Sequence, residues 1–184
     1  MPGVLRGAVA QEESLARSST LYVTLNDSEI SRQFYDLHNK DQRHGFYTHA
    51  MILSPGVLVF RNDRGDPLEV PYEMDVVTSP AVYAGQVRED LHRWPRDVLE
   101  PRINDVMQER MARILYLFES RGIQRIILGS FGTGAFENDV RVVANSWAKL
   151  LKGRFKNSFS EVLFAILGRP TYEEFSKCFN ETMR

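Results

Sequence analysis

The sequence predicts an α/β layered fold, with helices on both faces of a largely parallel or mixed sheet. Three observations lead there. A unit of helix, short apolar strand, glycine-bearing loop and helix runs from Pro101 to Leu151. A second strand signal, Val162-Leu163-Phe164-Ala165-Ile166-Leu167, is continuous rather than alternating, the pattern of a strand covered on both faces. Strands also alternate with helices along the chain, which is the order a layered α/β domain requires.

The elements follow in turn. Between Gln11 and Thr20 the sequence favours a helix with Leu15 facing inward. Val57 to Phe60 reads as a strand, and Arg61 to Asp66 is the only shift of composition in the chain, a polar stretch with glycine and aspartate. Asp75 to Thr78 is the next strand; Ser79-Pro80-Ala81 ends it, because proline cannot donate to a ladder. From Pro101 the residues Ile103, Val106, Met107, Met111, Ile114, Leu115 and Phe118 recur at three- and four-residue spacing. That predicts an amphipathic helix of about five to six turns, with Pro101 in its first turn and Gly122 at its C-terminal cap. Ile126-Ile127-Leu128 is a short β-branched strand that runs straight into Gly129-Ser130-Phe131-Gly132-Thr133-Gly134. Asn138 or Asp139 can cap the following helix, which buries Val140, Val143, Ala144, Trp147, Leu150 and Leu151. Thr171 and Glu174 have the spacing of a capping box for a last short helix. No repeat or low-complexity tract divides the chain, so residues 1–184 are expected to form one domain.

Composition narrows the class. The chain has 184 residues, with 23 basic and 24 acidic side chains and a net charge of -1, which leaves no electrostatic footprint for direct nucleic-acid binding. It is 43% hydrophobic and 26% charged, and no apolar run approaches the roughly 20 residues of a membrane span, so neither disorder nor a membrane protein is expected. No secretory leader is expected either, since Gln11-Glu12-Glu13 arrives before an apolar segment can form. One cysteine, Cys178, permits neither an internal disulfide nor a cysteine-based zinc site, and fits a reducing cytoplasmic or nuclear compartment.

Two segments can carry chemistry. The glycines from Gly129 to Gly134 follow a strand and precede a helix, where backbone N–H groups can converge at the positive end of the helix dipole and hold a phosphate. The spacing is neither a Walker A loop nor the dinucleotide fingerprint, and a plain strand-to-helix turn is the other reading. In Gln11-Glu12-Glu13 adjacent carboxylates raise each other's pKa, and a glutamate so raised is a candidate general acid. Acidic residues in a first helical turn also simply complement the dipole. His38, His44, His49 and His92 show no i, i+4 pair and no cysteine partner, so no metal is expected. No serine sits in a nucleophile elbow. Tyr22, Phe34, Tyr35, Phe46 and Tyr47 suit either base stacking or core packing.

The stretch Gly3-Val4-Leu5-Arg6-Gly7-Ala8-Val9-Ala10-Gln11-Glu12-Glu13-Ser14-Leu15-Ala16-Arg17-Ser18-Ser19, together with Gly129 to Asp139, resembles the microbial-type poly(ADP-ribose) glycohydrolase family, a branch of the macrodomain fold. Val57 to Asp63 and Asp75 to Ala81 stand in the family's order and spacing, so the resemblance spans nearly the whole chain. It implies a macrodomain-like three-layer α/β/α fold with a mixed sheet, and hydrolysis of the ribose-ribose bonds of poly(ADP-ribose). It further implies that Glu13 is the catalytic acid, that Glu12 holds ribose hydroxyls, and that Gly3 and Gln11 belong to the same ribose site. Gly129, Ser130, Gly132, Thr133, Gly134 and Ala135 would cradle the diphosphate side of the ligand, and Phe136 would order the distal ribose. The implied partner is ADP-ribose or its polymer, including polymer on modified proteins, with no cofactor and no metal. Departures from the pattern are the single Gly3 where relatives carry three glycines, Tyr83 in place of an asparagine, and Thr133 in place of a cysteine. The strand and asparagine-bearing loop that precede the glycines in relatives are absent, so the chain is expected to be the C-terminal portion of the family's domain, with the first strand missing. The alternative is a non-catalytic ADP-ribose reader or an inactive truncated paralogue.

Overall fold

A computed structural model describes residues 11–40 and 43–184. The chain forms two compact units, and the chain path passes between them more than once: residues 11–40 and Ala50–Ser79 belong to the first, and residues 43–49 and Pro80–Arg184 to the second.

In the first unit three helices, α1 (Gln11–Ser18), α2 (Leu21–Asn26) and α3 (Glu29–Asn39), accompany an antiparallel hairpin of β1 (Ile52–Arg61) and β2 (Pro67–Thr78). Leu21 and Leu25 from α2, Phe34 from α3, and Ile52 and Val57 from β1 form the core, with Leu15, Tyr35 and Val76 packed against it. Ser19 bridges to Val59, the Leu58 carbonyl accepts from the Thr20 N–H at 3.0 Å, and the Thr20 hydroxyl accepts from the Leu58 N–H at 3.0 Å. The chain between α1 and α2 is thereby fastened to β1. The polar stretch after β1 is the hairpin turn, where the Asn62 side-chain oxygen accepts from the N–H groups of Arg64 and Asp66 at 2.9 and 3.0 Å.

Both strands are longer than the sequence patterns at Val57–Phe60 and Asp75–Thr78. Pro55 interrupts β1 at an irregularity between Ser54 and Val57, and Pro71 lies inside β2, whose outer residues are largely exposed. Those features hide the alternation by which a strand is recognised.

The second unit contains α4 (Ala84–Asp90), α5 (Arg96–Ser120), β3 (Arg125–Leu128), α6 (Val140–Lys152), β4 (Glu161–Phe164) and α7 (Arg169–Met183). The β3–β4 pair is parallel, with Ile126 opposite Val162 and Leu128 opposite Phe164. The α5 helix buries Ile103, Met107, Met111, Ile114, Leu115 and Phe118. It begins at Arg96, so Pro101 lies inside it rather than at its start. The Gly122 N–H bonds the Glu119 carbonyl with φ +69°, the left-handed closure expected of a C-terminal glycine. Arg110 occupies the same buried face; its guanidinium donates to the carbonyls of Pro80 at 2.9 Å and Phe46 at 2.8 Å. This cation is fully buried, and a charged residue at an apolar position masks that part of the periodicity.

Three further expectations give way to the structure. The run Val162–Leu167 is not a strand throughout: β4 stops at Phe164, and its burial alternates, with Leu163 50% and Leu167 92% exposed. With one neighbouring strand among the described residues and one covered face, every second residue points outward. Thr171 and Glu174 do not form a capping box, because α7 already begins at Arg169 after Gly168 at φ +83°, with Pro170 in its first turn. Nor is α7 short: its 15 residues bring Phe175 and Phe179 to within 5.0 and 4.9 Å of the Phe164 ring. No helix of the described residues is long and apolar enough to cross a membrane.

Candidate functional site

The acidic element opens α1 of the first unit. Gln11 is exposed, while Glu12 and Glu13 are half-buried in the first helical turn. The Tyr35 hydroxyl on α3 donates to Glu12 Oε1. The Tyr35 ring stands edge-on to Phe34, with centroids 5.2 Å apart at 84°, and Phe34 belongs to the core, so the phenol is held from behind. Burial raises the Glu12 carboxyl above the usual range; the Tyr35 hydrogen bond opposes that shift, and the Glu13 charge adds to it. Like-charge repulsion is therefore present, as the adjacent glutamates imply, but desolvation is the larger cause. Burial and then the Glu12 bond raise the Tyr35 hydroxyl strongly as well, keeping it a donor. Gly3 lies outside the described residues.

The glycine loop belongs to the second unit and joins β3 to α6. Its entry is anchored by Trp147, whose indole N–H donates to the Gly129 carbonyl at 3.2 Å. Gly132 has φ +73°, and a Cβ there would fall 2.4 Å from the Ala81 Cβ and 2.7 Å from Asn138 Nδ2. Only glycine fits. Thr133 turns inward, both its N–H and its hydroxyl donating to the Ser130 carbonyl at 3.0 and 2.8 Å. The N–H groups of Gly132, Gly134 and Ala135 have no protein acceptor among the described residues. Gly134 and Ala135 are exposed, while Ser130 is half-buried at the loop's start.

Asp139 caps α6, accepting from the N–H groups of Arg141 and Val142. Burial works against ionisation of this carboxyl, but the Arg141 guanidinium and the two backbone N–H groups hold it below the usual range. That frees Asn138 for another task. It is 7% exposed, and its amide donates to the Val82 carbonyl at 2.7 Å and the Gly132 carbonyl at 2.9 Å. The sequence gives Asn138 only a capping role; nothing local reveals a partner 56 residues away.

The segment from Val82 to Arg88 clamps this loop along its length. The Gly85 N–H donates to the Phe136 carbonyl at 3.3 Å. Arg88 donates to the Glu137 carbonyl at 2.9 Å and grips Glu100 with two bonds of 2.7 and 3.0 Å, which holds the Glu100 carboxyl below its usual range. Tyr83 stacks on Phe136 with centroids 4.7 Å apart and planes 10° from parallel, and Tyr47 lies on the same ring at 6.2 Å. One face of the loop aromatic is therefore taken by the residue that departs from the family pattern. Among the described residues no three of His, Cys, Asp and Glu gather as a metal site.

Comparison with family models matches residues 2–62 to the microbial-type PARG catalytic domain. The chain is similar to the poly(ADP-ribose) glycohydrolase of Deinococcus radiodurans in complex with ADP-ribose: 31% identity, TM-score 0.84, covering 98% of this chain and 70% of that one. The apo form of the same enzyme gives 30% identity and a TM-score of 0.79, over 92% of this chain and 66% of that one. The poly(ADP-ribose) glycohydrolase of Thermomonospora curvata is 37% identical, with a TM-score of 0.81, over 97% of this chain and 62% of that one. No curated protein sequence matches.

Proposed function

The chain belongs to the poly(ADP-ribose) glycohydrolase family, and from that membership we propose that residues 1–184 act as one macrodomain-like catalytic domain that hydrolyses the ribose-ribose bonds of poly(ADP-ribose). The observation that carries the reading is the likeness over 98% of the chain to a relative solved with ADP-ribose. Glu13 gives its proton to the departing ribose oxygen as the bond to the anomeric carbon breaks. Water adds to that carbon, and the Glu13 carboxylate takes the proton that water releases, so the acid is restored. Glu12, with Gln11 and Gly3, holds ribose hydroxyls; a carboxylate made more basic by burial accepts such bonds more strongly. Backbone N–H groups of Gly132, Gly134 and Ala135 take the diphosphate, Gly129, Ser130 and Thr133 shape the turn that presents them, and Phe136 borders the distal ribose. No cofactor takes part. The substrate is polymer on modified proteins in the cytoplasm or nucleus.

The test separates an enzyme from a reader. Glu13→Gln is expected to lower release of ADP-ribose from polymer by roughly a hundredfold or more while leaving ADP-ribose-induced thermal stabilisation nearly intact. Glu12→Gln is expected to weaken that stabilisation too. Hydrolysis unchanged in Glu13→Gln places the acid elsewhere, and stabilisation by ADP-ribose without any turnover in the wild type makes the chain a reader.

A further inference from the structure

One aromatic patch of the second unit has no part in the site described above. Trp94 stands in the turn between α4 and α5 and is 43% exposed, whereas Trp147, the other tryptophan, is buried. Its backbone is fixed, the Trp94 N–H donating to the Leu91 carbonyl at 2.8 Å. The Arg102 guanidinium, two turns along α5, lies between two rings, 5.8 Å from the Trp94 centroid and 5.4 Å from that of Phe46. Val98, four residues before Arg102 on α5, is also exposed. The acids of this stretch are partly committed: Glu100 to Arg88, and Asp90 to His44 at 3.3 Å. Arg93 and Arg102 have no ion pair among the described residues. The result is a plate of indole and guanidinium, open to solvent, with cations at its edge.

Its place follows from Arg88. That side chain bonds the Glu137 carbonyl at the end of the glycine loop and Glu100 in the second turn of α5, so the start of α5 is tied directly to the loop. Tyr83, stacked on Phe136, immediately precedes α4, and Trp94 follows α4. At 1.5 Å per residue that helix is about 10 Å long. The plate therefore lies about one short helix from the loop aromatic.

We propose that Trp94, Arg93 and Arg102 form a non-catalytic subsite for a further ADP-ribose unit of the same polymer, its adenine stacked on the indole and its diphosphate met by the guanidiniums. The inference rests on the polymer being the substrate. Charge and shape select this occupant: each unit of that polymer carries a flat purine and two anionic phosphates in one repeat, and the patch offers an exposed indole with the Arg102 guanidinium over its ring and Arg93 next to it in sequence. Glu89 and Asp97 remain nearby, so stacking rather than bulk positive charge must carry the affinity.

The experiment uses the full chain and fluorescently labelled oligo(ADP-ribose) of several units, with ADP-ribose as the control. Trp94→Ala is expected to weaken oligomer binding about tenfold while ADP-ribose affinity stays unchanged, and Trp94→Phe is expected to recover part of the loss. Arg93→Glu is expected to weaken oligomer binding in the same selective way. Oligomer affinity unaltered in Trp94→Ala overturns the subsite and leaves the family reading standing, as does an equal loss for monomer and oligomer. Competition by single-stranded oligoadenylate as effective as by the polymer overturns it too, by making the plate a general nucleic-acid surface. Wild-type protein that binds neither ADP-ribose nor the oligomer overturns both.

Discussion

Tyr35 donates its hydroxyl to a carboxyl that burial has already made harder to ionise. Because the folded-state pKa of Glu12 lies above its ordinary value of 4.5, Glu12 contributes stability that is fully present below about pH 4.5 and is lost as pH rises through its folded value. The Tyr35 bond limits that loss by favouring the carboxylate. Tyr35→Phe raises the Glu12 pKa further, so its cost is greatest at neutral pH. A bond to a charged acceptor at a partly exposed site is worth about 1.5 kcal/mol, or about 3 to 6 °C in Tm for a chain of this size. Thermal melts are expected to show that drop at pH 7.5 and a clearly smaller one at pH 4. An equal drop at both would mean that the phenol acts only as packing against Phe34. This pairing is not legible in the sequence: Glu12 and Tyr35 are 23 residues apart, and either tyrosine or phenylalanine satisfies the apolar face of α3.

At the scale of elements, the segment from Val82 to Arg88 and the glycine loop form one bonded structure. Asn138→Ala removes the donor from two carbonyls at once, those of Val82 and Gly132, and is expected to cost about 2 to 3 kcal/mol. Urea unfolding should show a lower midpoint with an unchanged slope. Gly132→Ala has nowhere to place its methyl group, so it should displace Ala81 and abolish stabilisation by ADP-ribose. A Gly132→Ala protein that retains the full ligand shift would show that the turn is not the phosphate cradle. The sequence reveals the loop, the strand before it and the helix after it, because glycine spacing and a short apolar run are local signals. It also reveals the buried face of α5 from Ile103 to Phe118, where periodicity runs for about four turns. It does not reveal α2, whose six residues are too few to display a helical period, nor α3, which leaves Ile30 and Leu37 exposed, nor the full length of β2, whose exposed Val70 and Tyr72 break the inside-outside alternation. Nor does any local pattern show that Tyr83 will stack on Phe136, 53 residues on; that contact exists only once α4 has docked.

Across the whole molecule, the parallel pair β3–β4 presents one apolar face to solvent. Ile127 is 65% exposed and stands in register with the half-exposed Leu163. Adjacent aliphatic side chains on the open face of a two-stranded sheet favour self-association. Light scattering is expected to show concentration-dependent association of the wild-type chain, relieved in the double variant Ile127→Thr with Leu163→Thr. A monodisperse monomer at every concentration would mean that this face is tolerated as it is. The path of the chain bears on a different matter, the order in which the protein can be completed as it leaves the ribosome. Residues 43–49 belong to the second unit, and among their bonds the Gly45 carbonyl accepts from the Tyr83 N–H at 2.8 Å and the Phe46 carbonyl accepts from Arg110. Those two carbonyls meet their donors only after some 35 to 65 further residues are made, about 2 to 13 s at typical elongation rates. The first unit's hairpin, which ends at Thr78, can close before the Arg110 bond is possible, so the two units draw on the nascent chain in overlapping order rather than one after the other.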